Sequence, residues 1–417
     1  MLKKRILQGV FLLPCTIVAE DLVQILDLSL KNQLIKSTSY SIQSLQSNYE
    51  SVKNSYMPKV TIGTTFSNSN QETITTPSNS LVSYANINYT LYDGGAKTNR
   101  YKSFEEDIKS SKENLNSLKN KISLEVINYY FSYLSLISSK EAKEQEINTL
   151  KAEQSRLNKF LEAGTTTSDE VDKITSRVQN AKVILNELEL NIQTILHNLE
   201  YITAKTVSIT KGSKVKGYKI KELSLKIDTL RADIKAIEFE INKLLQDAKV
   251  KKSSNYPMVS LDNTFYNYNM SYHNKTYDAT AIDSQNIFKL NLSWKIFDFD
   301  TTKKSYESAY LKYQSLKSKY DYEKNKASVD LKLSLKAYDI AKLKIKSAKL
   351  ALKAANSTYE TIENKYQNGL VENVAYLEAL SEKYSAISSL KQSQYDLEIK
   401  KANIIYHSGK NLWEFIK

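Results

Sequence analysis

Leu91-Tyr92-Asp93-Gly94-Gly95 and Ile296-Phe297-Asp298-Phe299-Asp300 decide the fold. Each stretch closes an alternating strand pattern and opens a long run without breakers. The two aspartates lie 205 residues apart, and the same offset pairs Tyr101 with Tyr306, Tyr133 with Tyr338, Gly164 with Gly369, Leu185 with Leu390 and Tyr201 with Tyr406. An ungapped match of that length makes the chain a tandem duplication of one unit. Upstream the offset is 199, with Tyr56-Met57-Pro58-Lys59-Val60 against Asn255-Tyr256-Pro257-Met258-Val259. An insertion therefore lies between Phe265 and Asp298, and such length changes sit at surface loop tips.

Working outward, the pattern before each aspartate is a strand pair. Val60, Ile62, Thr64 and Phe66 alternate with polar residues, then a polar loop runs from Asn68 to Asn79, and Ala85, Ile87, Tyr89 and Leu91 alternate with Asn86, Asn88 and Thr90. In the second copy the strand at Val259 is followed by a loop over 267–285. Phe288, Leu290, Leu292, Trp294 and Ile296 then alternate with Lys289, Asn291, Ser293 and Lys295. These spacings predict β-hairpins over 59–92 and 258–297.

The pattern after each aspartate is helical. The 417 residues contain only nine Gly and four Pro. Long helices follow from so few breakers. They are expected over 95–163 and 300–368, each about 100 Å long at ~1.5 Å per residue. Turns at Gly164 and Gly369 lead into helices over 168–203 and 372–406, with Ser168 as the expected cap of the former. Val171, Ile174, Val178, Ala181, Leu185, Leu188, Ile192, Ile195, Leu199 and Ile202 step by three and four, a seam that packs on a partner helix. Leu22, Ile25, Leu26, Leu30, Leu34 and Ile35 predict one more helix ahead of the first hairpin. The first repeat is thus 20–203, a linker takes 204–218, the second repeat is 219–408, and a tail takes 409–417.

Residues 1–19 read as a signal peptide: Lys3, Lys4 and Arg5, then an apolar stretch to Val18, then Ala19 before Glu20. The alternative is a lipoprotein in which Cys15, the only cysteine, becomes the acylated terminus; Pro14 just before it argues against this. No stretch reaches the ~20 apolar residues of a spanning helix. The net charge of +13 loses three with Lys3, Lys4 and Arg5, leaving +10, spread over lysines mixed with glutamates. That reads as solvated helix faces, with no nucleic-acid partner.

The hairpin strands have about the length that crosses a bilayer as a tilted strand, and they alternate apolar with polar. Tyr89, Tyr92, Trp294 and Phe297 fit an aromatic girdle. Four strands cannot close a barrel, and open edges are not tolerated in lipid, so several chains must pool their strands. The fold class expected is mainly α with a small β part: a tandem-duplicated α-helical coiled-coil barrel plus two β-hairpins per chain.

These features together resemble the TolC family of outer-membrane efflux proteins. The resemblance rests on the duplication, the Tyr-Met-Pro-Lys-Val approach to the first hairpin, the aspartates at Asp93 and Asp298, and the turns Leu161-Glu162-Ala163-Gly164 and Tyr366-Gln367-Asn368-Gly369. It implies a homotrimer with a shared twelve-stranded transmembrane barrel and a helical tunnel across the periplasm. It also implies a passive exit duct served by a periplasmic adaptor and an inner-membrane transporter. The turns at Gly164 and Gly369 become the periplasmic, adaptor-docking tip. Carried over by distance from these glycines, an acidic gate partner falls at Glu170 beside Asp169, and a tyrosine that reaches across falls at Tyr366. One acidic ring position falls at Glu378, the other at Ala375, with Glu372 as a substitute carboxylate; the basic linking position falls at Val371. Helix-dipole stabilisation is the other reading of Asp169 and Glu170. A protein-secretion outlet and an exported trimeric coiled-coil adhesin are the alternative functions. No enzyme, cofactor or metal site is expected: His197, His273 and His407 are dispersed, and no phosphate-binding glycine loop or nucleophile motif occurs.

Overall fold

The computed structural model describes residues 20–216, 231–279 and 281–416. Residues 1–19, read as a signal peptide, with Cys15, and the end of the linker and start of the second repeat over 217–230 lie outside the described residues. The element order is α1 (Leu22–Ser29), α2 (Gln33–Ser55), β1 (Lys59–Asn68), β2 (Asn79–Asp93), α3 (Ala96–Glu162) and α4 (Ser168–Thr203). There follow α5 (Ala232–Ser253), β3 (Met258–Ser271), α6 (Lys275–Asp278), β4 (Ser284–Ser293), α7 (Thr301–Gln367) and α8 (Asn373–His407), then a 3-10 turn at Leu412–Phe415.

The helix expected ahead of the first hairpin is broken. Asp21 and Gln24 form a capping box on α1, and Asn32 accepts the Ile35 N–H at 2.8 Å, starting α2 afresh. Leu34 is consequently exposed, off the expected stripe. Likewise the cap of α4 is Thr167, not Ser168: Thr167 is extended, and Ser168 is already helical.

The matched aspartates prove to be strand-to-helix punctuation. Asp93 Oδ2 accepts the Lys97 N–H at 2.7 Å, and Asp298 Oδ2 accepts the Thr302 N–H at 3.1 Å and the Thr302 hydroxyl at 2.5 Å. The Thr302 hydroxyl is the main reason why the Asp298 carboxyl is held below its usual range.

The strands form one antiparallel sheet in the order β1-β2-β3-β4, so the two hairpins are joined through β2 and β3. β2 and β3 have partners on both sides, while β1 and β4 have free edges. The strand after each loop differs in extent. β2 reaches Asp93, whereas β4 stops at Ser293, so that Trp294 to Phe297 lie outside the sheet. The Trp294 indole N–H donates instead to the Asn255 carbonyl at 3.0 Å.

The chain divides into two compact units, each drawing on both repeats. One takes Met1–Lys36, Ser117–Arg231 and Lys326–Lys417 as far as these are described; the other takes Ser37–Asn116 and Ala232–Asn325. In the first unit, residues of the expected linker make bonds to segments far away in the chain. Glu20 and Ser208 join through a 2.6 Å backbone bond, Lys216 bonds Phe415, and the Tyr130 hydroxyl donates to the Thr210 carbonyl at 2.7 Å. The second unit holds the sheet and an aromatic group in which Tyr49 and Tyr56 meet Tyr101 edge-on.

Candidate functional site: the helix-turn tip and the sheet faces

Both glycine turns are built alike. Gly164 and Gly369 have φ of +71° and +70°, and a Cβ at either position would meet nothing within 4 Å. Glycine is therefore needed there for its left-handed backbone and not for space. The Thr165 N–H returns to the Phe160 carbonyl and the Leu370 N–H to the Lys365 carbonyl, both at 2.8 Å, closing the two helix ends.

Beside the turns α3, α4, α7 and α8 enclose one apolar cluster. It includes Ile147, Leu150, Leu157, Ile174, Val178, Tyr376, Leu377 and Leu380, and Tyr366 packs against its edge. The seam predicted in α4 supplies its part of this core, and Ile174 is fully buried. Tyr366 stacks on Tyr376 with ring centroids 4.8 Å apart. Its hydroxyl donates to Glu153 Oε1 at 2.6 Å, and the Arg156 guanidinium lies 4.9 Å over its ring. Burial and the Glu153 carboxylate push the Tyr366 phenol well above its usual pKa.

The tip residues named from the sequence are not all brought together. Tyr366 is engaged with Glu153 and not with Glu170. Glu170 accepts from Lys173 at 2.8 Å and from the Asn373 amide at 3.2 Å, which ties α4 to the start of α8. Asp169 also meets Lys173, at 3.2 Å. A hydrogen bond from Thr167, and next the Lys173 ammonium, hold its carboxyl below the usual range. Both acids lie in the first turn of α4, where negative charge also suits the helix dipole. Glu372 occupies the N-cap position of α8 without a side-chain capping bond, and Glu378, six residues further on, is exposed. Sequence reasoning missed Glu153, Arg156 and Asn373. Glu153 belongs to no repeated motif, and only its position eight residues before Tyr366 in repeat coordinates could have suggested it.

A second missed feature is the outer face of α7. Ala327, Ser334, Ala341, Ala348 and Ala355 recur every seventh residue and are buried. Leu333, Leu343 and Leu350 are more than 60 % exposed. Small residues thus pack inward, and large apolar ones point away from the chain's own core.

The sheet has two chemically distinct faces, fixed by register. Val60 stands opposite Ile87, Ile62 opposite Ala85 and Phe66 opposite Leu81; Leu261 stands opposite Leu290 and Val259 opposite Leu292. Phe66 is 70 % and Leu292 72 % exposed on this apolar face. The other face carries hydrogen-bonded polar groups: the Asn86 amide donates to Asp262 at 2.8 Å and to Thr264 at 2.7 Å. A bulge between Thr90 and Tyr92 breaks the alternation, so Tyr92, and not Leu91, takes the register position opposite Val259.

Residues 26–205 and 227–409 match the family model described as outer membrane efflux protein. The chain belongs to the outer membrane efflux protein family. No curated protein matches it. Among solved structures it is similar to the CmeC outer membrane channel of Campylobacter jejuni, with 17 % identity, TM-score 0.84, and 94 % of this chain and 86 % of that one covered. It is similar to VceC, an outer membrane protein of Vibrio cholerae, at 14 % identity and TM-score 0.80, with 94 % and 96 % covered. A structure of CusC aligns at 13 % identity and TM-score 0.83, with 94 % and 93 % covered. At these identities the fold is what is shared: a tandem-repeat, mainly helical chain carrying a small antiparallel sheet.

Proposed function

We propose that this outer membrane efflux protein works as a homotrimeric, passive exit duct. An inner-membrane transporter and a periplasmic adaptor deliver small molecules into it. The single observation that carries the reading is the sheet: one face is apolar and exposed, and β1 and β4 have unpaired edges. For one chain alone the apolar face is unfavourable in water and the unpaired edges are unfavourable in lipid. Three copies joined β4 to β1 give a closed twelve-stranded barrel, with Val60, Ile62, Ile87, Leu290 and Leu292 toward lipid. The outward leucines of α7 fit the same assembly, because they need a neighbouring helix to cover them.

The two glycine turns face the periplasm in this reading and dock the adaptor. Tyr366 and Glu153 hold α7 to α3 beside the mouth, and Asp169, Glu170, Glu372 and Glu378 give it negative charge. Glu378 in threefold repeat attracts cations, so Glu378→Gln lowers cation preference there. Native mass spectrometry in detergent, followed by planar-bilayer recording, tests the duct. A trimer that forms discrete channels is expected. A stable monomer inserted in membrane sinks the reading.

A further inference from the structure

The strands contain four ionisable Asp, Glu, Lys or Arg side chains: Lys59, Asp93, Asp262 and Lys289. Asp93 is spent at the end of β2 as the cap of α3. The other three fall in one row. Lys59 stands opposite Asn88, Asn88 opposite Asp262, and Asp262 opposite Lys289. The row crosses all four strands at one register level, on the polar face. No other level of the sheet interior carries charge.

The row is unequal in sign and in availability. Asp262 is taken up by its neighbours: it accepts from Asn86 at 2.8 Å and from Thr264 at 3.3 Å, and it is half-buried. Lys59 and Lys289 are exposed, and neither forms an ion pair among the described residues. Each chain therefore presents two exposed ammonium groups, that of Lys289 opposite Asp262 in register, and one hydrogen-bonded carboxylate, a surplus of one positive charge at a single height.

We propose that this row is an anion-selecting site, an electropositive ring in the barrel lumen that favours solutes bearing carboxylate, sulfonate or phosphate groups. The inference rests on the duct reading above, which puts the polar face toward the lumen. Closing the barrel with three copies places the lysines around one circumference. Fixed charges on the wall of a narrow aqueous pore act over the Debye length, about 8 Å at physiological ionic strength. Lined by one sign, the pore raises the local concentration of the opposite ion. The strand row and Glu378 thus have opposite signs and act on opposite classes of ion.

The test uses the full-length trimer in a planar bilayer with a KCl gradient. The double variant Lys59→Gln/Lys289→Gln is expected to move the reversal potential toward potassium, and Asp262→Asn toward chloride. Lys59→Arg/Lys289→Arg keeps the wild-type value, which separates charge from packing. Inorganic triphosphate is then added on the side of the loops between the strands. It is expected to reduce wild-type current at about tenfold lower concentration than in the glutamine double variant, the scale of a local charge effect in a lined pore. Coincident reversal potentials and triphosphate sensitivities in wild type and the glutamine variant overturn the inference while leaving the duct intact. Failure of the wild-type protein to form a trimer or any channel overturns the duct reading, and the ring with it.

Discussion

The tip and the sheet solve the burial problem in opposite ways. At the tip four helix segments of one chain enclose Ile174, Val178, Tyr376 and Leu380 among themselves. In the sheet Ile62, Phe66, Phe288, Leu290 and Leu292 lie open on one face. Both regions carry many apolar side chains, but only the tip has water excluded by its own chain. The tip is thus a small core in the ordinary sense, whereas the sheet, in the proposed duct, is half of an interface whose other half is lipid and further strands.

The comparison breaks most sharply under truncation of a buried side chain. Ile174→Ala is expected to cost about 2–5 kcal/mol, because the cavity left among four helices cannot collapse fully. Leu290→Ala in the same chain is expected to change stability by no more than about 0.5 kcal/mol before membrane assembly. Denaturant midpoints followed by helical circular dichroism check this; equal losses would mean that the sheet has a core of its own.

Membrane assembly reverses the ranking. Leu290→Arg is expected to cost about 2–4 kcal/mol at mid-bilayer, and Asn291→Arg on the opposite face about 0–1 kcal/mol. The yields of trimer in outer-membrane fractions compare the two. A similar fall for both would show that the alternation does not separate lipid from lumen.

At the tip, Tyr366→Phe removes the hydroxyl bond to Glu153 and is expected to loosen α3 from α7 by about 1–3 kcal/mol. Single-channel conductance should rise while the trimer persists, and Tyr366→Phe with Glu170→Gln should add little to it, since Tyr366 is engaged with Glu153. A rise that appears only with the Glu170 change would move the gate to α4.

The smallest effect is in the loop that follows β3. Glu72 accepts the backbone N–H of His273 at 2.8 Å and of Asn274 at 2.9 Å, and these bonds hold its carboxyl below the usual 4.5. A depressed carboxylate stabilises above its unfolded pKa, and that contribution is lost as pH falls through the folded value. Amide hydrogen exchange at His273 and Asn274 should therefore speed up below about pH 4.5, beyond its intrinsic pH dependence. Unchanged protection under acid would leave the Glu72 bonds without a role.

Much of this was legible in the residues. The duplication, the two long helices and the α4 seam follow from breakers and periodicity, which are local signals. The sheet faces were legible up to Tyr89, where the bulge ends the period of two. Joining of the hairpins through β2 and β3 was not legible, because both edges of each hairpin carry the same alternation. At the tip the glycines announced themselves through the repeat. Glu153 did not, since a carboxylate on a long helix becomes distinctive only when a tyrosine 213 residues away reaches it. The small-residue face of α7 was present as a seven-residue period, hidden because alanine and serine weigh little in an apolar pattern.

The pinned segment between the repeats has a consequence for the order of assembly. Leu22 bonds Ser213 across 191 positions, and Leu412 bonds Asn120 across 292. Contacts so distant along the chain form after the hairpins and the glycine turns, whose partners are close neighbours. Only the Lys216 end of the joint waits for Phe415, while the Glu20, Leu22 and Tyr130 bonds close without it. The segment between the repeats is thus fastened from two directions, by Glu20 and Leu22 on one side and by Phe415 on the other.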